Sequence, residues 1–248
     1  MGDLNITDAP TFLDRAGVRL ACRYRTGAGP AILFLPGYGS DMTGGKAVAL
    51  DAWCGRIGRA MLRFDYAGTG ESDGVFELGT LAGWRDDALA VLDATEGDVV
   101  LVGSSMGGWL MLLVALARPD RVRGLIGIAA APDFSDWGFS RDEKMTILQL
   151  GQIVRRSEYG SQITTRAFWQ SAEALRLTHA PIAIDCPVRL LHGEADTVVP
   201  PWVATRLAGL VRSADVQTTF VKDGDHRLSR PQDIALLIRT VDALMEIL

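Results

Sequence analysis

Asp98-Val99-Val100-Leu101-Val102-Gly103-Ser104-Ser105-Met106-Gly107-Gly108-Trp109 runs from an apolar stretch, through a Gly-x-Ser-x-Gly pattern, into a helical pattern. The apolar run reads as a buried strand. The residues after the second glycine read as a helix from about Ser105 to Ala117, stopping before Pro119, because a proline disfavours helix at the residue before it. A strand that turns straight into a helix must reverse within a few residues, which strains the central residue and leaves its side chain exposed above the sheet. Gly103 and Gly107 fit this turn because a Cβ at either place would jam the helix against the strand. Ser105 is therefore the candidate nucleophile, and the expected turn is one that presents its hydroxyl.

Working outward, strand-like runs alternate with helical ones for most of the chain, the pattern of a mostly parallel sheet covered on both faces. Thr11 to Arg25 reads as a hairpin turning near Ala16-Gly17, and Ala31 to Leu35 as a strand ending at Pro36-Gly37. Ala47 to Gly58 is helical and Ala60 to Phe64 is the next strand. Thr80 is placed to cap a helix running to about Thr95. Further strands are expected at Val122 to Ala130, Cys186 to Leu191 and Val216 to Val221. Helices follow the last two, at Trp202 to Val211 and Pro231 to Leu248. Asp133 to Ala180 breaks the alternation. It holds helical runs and no convincing strand, so it is expected to be a small helical cap inserted into a single domain, whose core is residues 1–132 and 181–248.

An activated serine needs a base, and the base needs a carboxylate to orient it. With this strand–serine–helix turn the chain order is serine, acid, histidine. Of the three histidines, His179 and His192 come too early and read as structural: the first ends a cap helix, the second a strand. His226 remains, in a glycine-containing loop after the last strand. Asp196, in the loop after the Val188 to Leu191 run, is the expected acid, and Asp133, after the preceding strand, is the second candidate. Asp223 and Asp225 lie too close to His226 along the chain to orient its ring. The backbone N–H groups of Met106 and Tyr38 are the expected oxyanion donors, since developing charge needs donors fixed in advance. Asp65 to Ser72 is glycine-rich, but it lacks the lysine of a phosphate loop and is expected to shape the neighbouring turn. Arg141, Arg155, Arg156, Arg166 and Arg176 in the cap are either solvated or placed to meet an anionic substrate.

Bulk composition narrows the class. The chain has 248 residues, 48% of them hydrophobic, enough for one sizeable α/β core. No segment approaches the roughly 18 uninterrupted apolar residues of a membrane span. A net charge of −5 argues against a nucleic-acid partner, because no basic stripe is available to neutralise phosphates. Cys22, Cys54 and Cys186 are odd in number and widely spaced, so they read as buried hydrophobes and not as a metal site. Met1 to Ile6 shows no basic or apolar leader pattern, from which a cytoplasmic location is expected.

Several blocks are more specific than the bare motif. Phe34-Leu-Pro-Gly-Tyr38, Leu62-Arg-Phe-Asp-Tyr-Ala-Gly-Thr-Gly-Glu-Ser-Asp-Gly74, Val102-Gly-Ser-Ser-Met-Gly-Gly-Trp109, Cys186-Pro-Val-Arg-Leu-Leu-His-Gly193 and Asp225-His-Arg227 resemble the α/β-hydrolase family. Within it they resemble the branch of mitochondrial palmitoyl-protein thioesterases that are also described as acyl-glucuronide esterases. The resemblance covers essentially the whole chain. It implies an eight-stranded, mostly parallel sheet with a small cap, and hydrolysis of acyl thioesters or activated esters through an acyl-enzyme. The implied substrate is a small acyl ester or an S-acylated protein, and no cofactor is implied. It supports Ser105, Asp196 and His226 in their roles, each at its own motif. The cap, which should set specificity, matches least well, and no mitochondrial transit segment is visible. A general carboxylesterase or lysophospholipase, and a non-catalytic receptor on the same fold, are the competing readings.

Overall fold

The computed structural model describes residues 9–157 and 160–248, so Met1 to Ile6, read above for a leader, lie outside it. In chain order the elements are β1 (Thr11–Arg15), β2 (Val18–Arg25), β3 (Ala28–Leu35), α1 (Gly45–Ile57), β4 (Arg59–Phe64), α2 (Leu81–Asp93), β5 (Val99–Ser104), α3 (Met106–Ala117) and β6 (Val122–Ile128). Then come α4 (Phe134–Trp137), α5 (Arg141–Leu150), β7 (Gln152–Ser157), β8 (Gly160–Thr165), α6 (Arg166–Glu173), β9 (Val188–Gly193), α7 (Trp202–Leu210), β10 (Val216–Val221) and α8 (Pro231–Met245). Eight strands form one sheet in the order β1-β2-β4-β3-β5-β6-β9-β10. β1 and β2 pair antiparallel, β2 meets β4 antiparallel, and the other neighbours run parallel.

Alternation along the central strands builds two cores. Leu33, Leu35, Leu101 and Leu125 face α2 and α3, while Ile32, Phe34, Val100, Val102 and Ile126 join residues of α1 and α8 on the other face. Strands buried on both faces read as unbroken apolar runs for this reason. α3 is apolar all round and buried from Met106 to Ala115, as a helix must be when it lies between a sheet and a covering layer. Thr80 caps α2 by accepting a hydrogen bond from Gly83 N at 3.0 Å.

The inserted segment departs from expectation. It contains a hairpin, β7 and β8, paired in register from Gln152↔Thr165 to Ser157↔Gly160. The strands are short, carry two arginines, and leave Val154 half exposed, so their apolar alternation is too weak to mark a strand by pattern alone. The hairpin is held from outside. Tyr38 Oη donates to Ile163 O at 2.5 Å, and Arg155 forks onto Glu143 of α5 at 2.8 and 2.7 Å. His179 also differs, lying in a turn after α6 and not at a helix end.

Candidate active site

At the end of β5 the chain reverses so tightly that Ser105 takes φ 54° and ψ −118°. A positive φ in a residue with a Cβ costs about 1–3 kcal/mol and persists only where surroundings over-determine it. They do here. Ser105 N donates to Ile128 O at 2.9 Å, and Ser105 O accepts from Gly108 N and Ala131 N at 2.9 and 3.0 Å. The flanking glycines are obligatory: a Cβ on Gly103 would sit 2.3 Å from Gly107 O, and one on Gly107 would sit 2.0 Å from Leu35 O.

The loops after β9 and β10 converge on this turn. A Cβ on Gly193 would lie 2.2 Å from Gly224 O, so the two loops touch where Gly193 lacks a side chain. Glu194 N donates to Val221 O and Ala195 N to Gly224 O, at 3.0 and 2.9 Å. His226 Nδ1 lies 2.8 Å from Asp196 Oδ2, and His226 Nε2 lies 3.1 Å from Ser105 Oγ. Since a carboxylate only accepts, Nδ1 carries the proton, leaving Nε2 free to accept from the serine hydroxyl. The remaining oxygen, Asp196 Oδ1, accepts from Val198 N and Val199 N, both at 2.8 Å.

Burial of Asp196 pushes its carboxyl up. The hydrogen bond and charge of His226, with the Val199 and Val198 amides, outweigh that and hold it below the ordinary carboxylate range. The group is thus an anion at neutral pH. Its contribution to stability is present above the ordinary carboxylate value and lost as pH falls through the lowered one. Asp133 is engaged elsewhere. Its oxygens accept from Leu177 N at 2.9 Å and from Thr178 N and Oγ1, both at 2.7 Å, which ties the end of the insert to the strand end below it. Asp225 Oδ1 caps its own loop by accepting from Leu228 N.

Tyr38 and Met106 line the same cavity as Ser105. Among the described residues neither backbone N–H has a backbone acceptor. The glycine-rich segment braces the Tyr38 turn: Tyr66 Oη donates to Pro36 O at 3.3 Å, and Asp65 accepts from Met42 N at 2.7 Å. All three cysteines are free and, chiefly by burial, their thiols are pushed up to about 11, 12 and 11 for Cys22, Cys54 and Cys186. They are protonated at neutral pH and offer no thiolate nucleophile. Among the described residues no group of His, Cys, Asp and Glu has the arrangement of a metal site.

The cavity above Ser105 has a volume of about 620 Å³. Phe134, Trp137, Phe139, Val198 and Val199 give it apolar walls, and Lys46, Arg155, Arg156 and Arg227 give it cations, with no carboxylate residue in the lining among the described residues. Of the five insert arginines read from sequence, only Arg155 and Arg156 reach it. Arg176 pairs with Asp136 and Glu173, and Arg166 donates to Leu148 O. Lys46 was invisible to sequence reading, because nothing in its neighbourhood marks the first turn of α1 as facing a site. Its Nζ donates to Arg227 O at 2.5 Å, and burial, reinforced by Arg227, lowers it to about 8.

A mostly parallel sheet with a strained serine at a strand-to-helix turn, met by a histidine and a carboxylate from later loops, defines the α/β hydrolases as a class. The pattern described as the alpha/beta hydrolase family matches residues 32–235, and the chain belongs to that family. A human relative, the mitochondrial palmitoyl-protein thioesterase ABHD10, is 41% identical over 244 residues, covering 95% of this chain and 80% of that protein. The structure of alpha/beta hydrolase domain-containing protein 10 from mouse superposes with a TM-score of 0.91 at 42% identity, covering 96% of this chain and 98% of that one. A putative hydrolase from Agrobacterium vitis S4 follows with a TM-score of 0.89 and 37% identity, covering 95% and 97%. The human relative's name is mitochondrial, which differs from the cytoplasmic location expected from the first residues. Among the described residues no helix is long and apolar enough to cross a membrane.

Proposed function

We propose that the protein is a serine hydrolase that cleaves acyl thioesters or activated carboxylic esters through an acyl-enzyme on Ser105. The observation that carries the reading is the continuous hydrogen-bonded line from Ser105 Oγ through His226 to Asp196, opening into a cavity with apolar walls and several cations. His226 Nε2 takes the hydroxyl proton as Oγ attacks the acyl carbonyl, and Asp196 stabilises the imidazolium that forms. The Met106 and Tyr38 amides hold the oxyanion. The proton passes to the departing thiol or alcohol, and water, deprotonated by the same imidazole, then releases the acid. Residues 133–180 act as the cap, their aromatic side chains facing the acyl chain. The likeness to palmitoyl-protein thioesterases favours long-chain S-acyl groups, including those on proteins. Comparing rates on acyl-CoA, a palmitoylated peptide and simple esters of matched chain length tests this. Thioester turnover exceeding ester turnover is expected; the reverse order identifies a general carboxylesterase or lysophospholipase. A fluorophosphonate probe that left Ser105 unlabelled would remove the hydrolase reading itself.

The cationic rim favours a leaving group that bears an anion, as acyl glucuronides and acyl-CoA do. Arg155 is already paired with Glu143, and of the other lining cations Arg156 and Lys46 are the ones assigned to that charge. Arg156→Ala is expected to raise KM for an anionic substrate about fivefold, roughly 1 kcal/mol for a charge near the surface, and to leave a neutral ester unchanged. Lys46 is an ammonium below its lowered value and neutral above it. KM for the anionic substrate alone should therefore climb as pH rises through about 8. Equal effects on both substrates in steady-state assays would discount the charge argument.

A further inference from the structure

His192 is buried in β9, directly behind the proposed acid, and the mechanism above leaves it unused. Its Nε2 lies 2.8 Å from Val199 O and 3.5 Å from Asp196 Oδ2. A carbonyl only accepts, so Nε2 carries a proton and donates it to Val199 O. Val199 N is in turn one of the two amides that hold Asp196 Oδ1. The eight-residue span from His192 to Val199 is thus closed by hydrogen bonds, with the carboxylate inside it. We propose that His192 is a positioning residue for the reaction. As a neutral Nε2–H imidazole, it pins the Val199 carbonyl and thereby fixes the carboxylate that orients His226; the inference rests on the serine-hydrolase reading.

Three further observations fit that role. Burial lowers the basicity of His192, which keeps the ring neutral beside an anion that would otherwise favour imidazolium. The ring is anchored by a strand paired on both sides: His192 lies opposite Phe220 of β10, and its neighbour Leu191 lies opposite Ile128 of β6. Ile128 O is also the acceptor that pins Ser105 N. Carboxylate and serine are therefore referenced to the same strand ends. Groups that orient a functional ligand gain precision when they sit on rigid elements in this way.

The test begins with the wild-type protein carrying ¹⁵N-labelled histidine. Two-bond nitrogen–proton correlations are expected to show His192 as the neutral Nε2–H tautomer; an Nδ1–H tautomer or an imidazolium overturns the proposal without any variant. His192→Phe keeps the ring size and removes the donor. Its kcat is expected to fall about 10- to 100-fold with KM within twofold, since a small misplacement of an orienting group acts on the reacting geometry. The low-field proton shared by His226 and Asp196 should shift or broaden in parallel. His192→Gln, whose amide nitrogen can stand near Nε2, should recover most of kcat. A Phe variant with wild-type kcat, or a Gln variant no better than Phe at equal folded fraction, overturns it. Fluorophosphonate labelling of wild type separates the two failures: an unlabelled Ser105 defeats the hydrolase reading, whereas normal labelling with an indifferent His192 defeats only the positioning role.

Discussion

Ser105→Ala is expected to lower kcat for acyl esters and thioesters by about 10⁴- to 10⁶-fold, the range seen when the nucleophile of such a unit is removed. Few other single atoms in the molecule should matter as much. Ser105 Oγ is the group placed 3.1 Å from an imidazole that is itself held by a buried carboxylate. The three thiols are protonated and offer no substitute nucleophile. The substitution is also conformationally neutral, because alanine at φ 54° carries the same strain as serine. Folding should thus be unchanged, and the loss should appear in kcat with substrate binding retained. In the proposed mechanism the three side chains act as a unit, so adding His226→Ala to Ser105→Ala should cost little more than either alone. Residual turnover within tenfold of wild type in the single variant would falsify the acyl-enzyme mechanism. A double variant 10³-fold worse than the single would mean that His226 acts independently of the serine.

How much of this was legible in the sequence depends on whether a feature is local. The run from Asp98 to Gly107 carries its own explanation. Four apolar residues fill both faces of a central strand, and two glycines remove the Cβ atoms that the turn cannot hold. The same is true of Thr80, whose hydroxyl needs only the amide three residues on. The central parallel strands announce themselves by alternation with helices and by burial on two faces, whereas the edge strands β1 and β10 are exposed or half-buried and the count of eight was implied only by the family resemblance. The β7–β8 hairpin does not announce itself, because it is a two-stranded ribbon with exposed residues such as Val154, held by Tyr38 from more than a hundred positions away. Asp196 and Asp133 are a sharper instance. Each follows a sheet strand, and each is buried. They differ only in their partners: Asp133 takes donors from Leu177 and Thr178, whereas Asp196 faces His226. No periodicity encodes such a choice; it is made by loops that meet in space. His192 was read as structural from its place at a strand end, and its position is as expected. What that reading missed is the carbonyl it reaches seven residues later.

Gly107→Ala is expected to be the most damaging single methyl added near the site, whereas the same change at Gly209 is expected to help. At Gly107 the new Cβ would lie 2.0 Å from Leu35 O and 2.5 Å from Pro36 O. Both obstacles are backbone, so neither can rotate aside; either α3 lifts from β3 or the Pro36–Tyr38 turn is pushed outward. Overpacking of this kind costs about 3 kcal/mol. For a chain of this length each kcal/mol is worth roughly 2–4 °C, so Tm should fall by about 6–12 °C. The second route has a catalytic signature. Moving Pro36 would carry the Tyr38 amide away from the proposed oxyanion position, and losing one such donor is worth about 10²- to 10³-fold in kcat. At Gly209, in α7, a Cβ meets nothing within 4 Å. Alanine there should gain up to about 1 kcal/mol of helix propensity and leave kcat untouched. Thermal melts and steady-state kinetics on the two variants decide the matter. Opposite shifts in Tm with a kcat loss confined to Gly107→Ala support an elbow packed against the oxyanion turn. Equal kcat in the two variants at temperatures where both are folded would show that α3 gives way instead and that the Pro36–Tyr38 turn keeps its place.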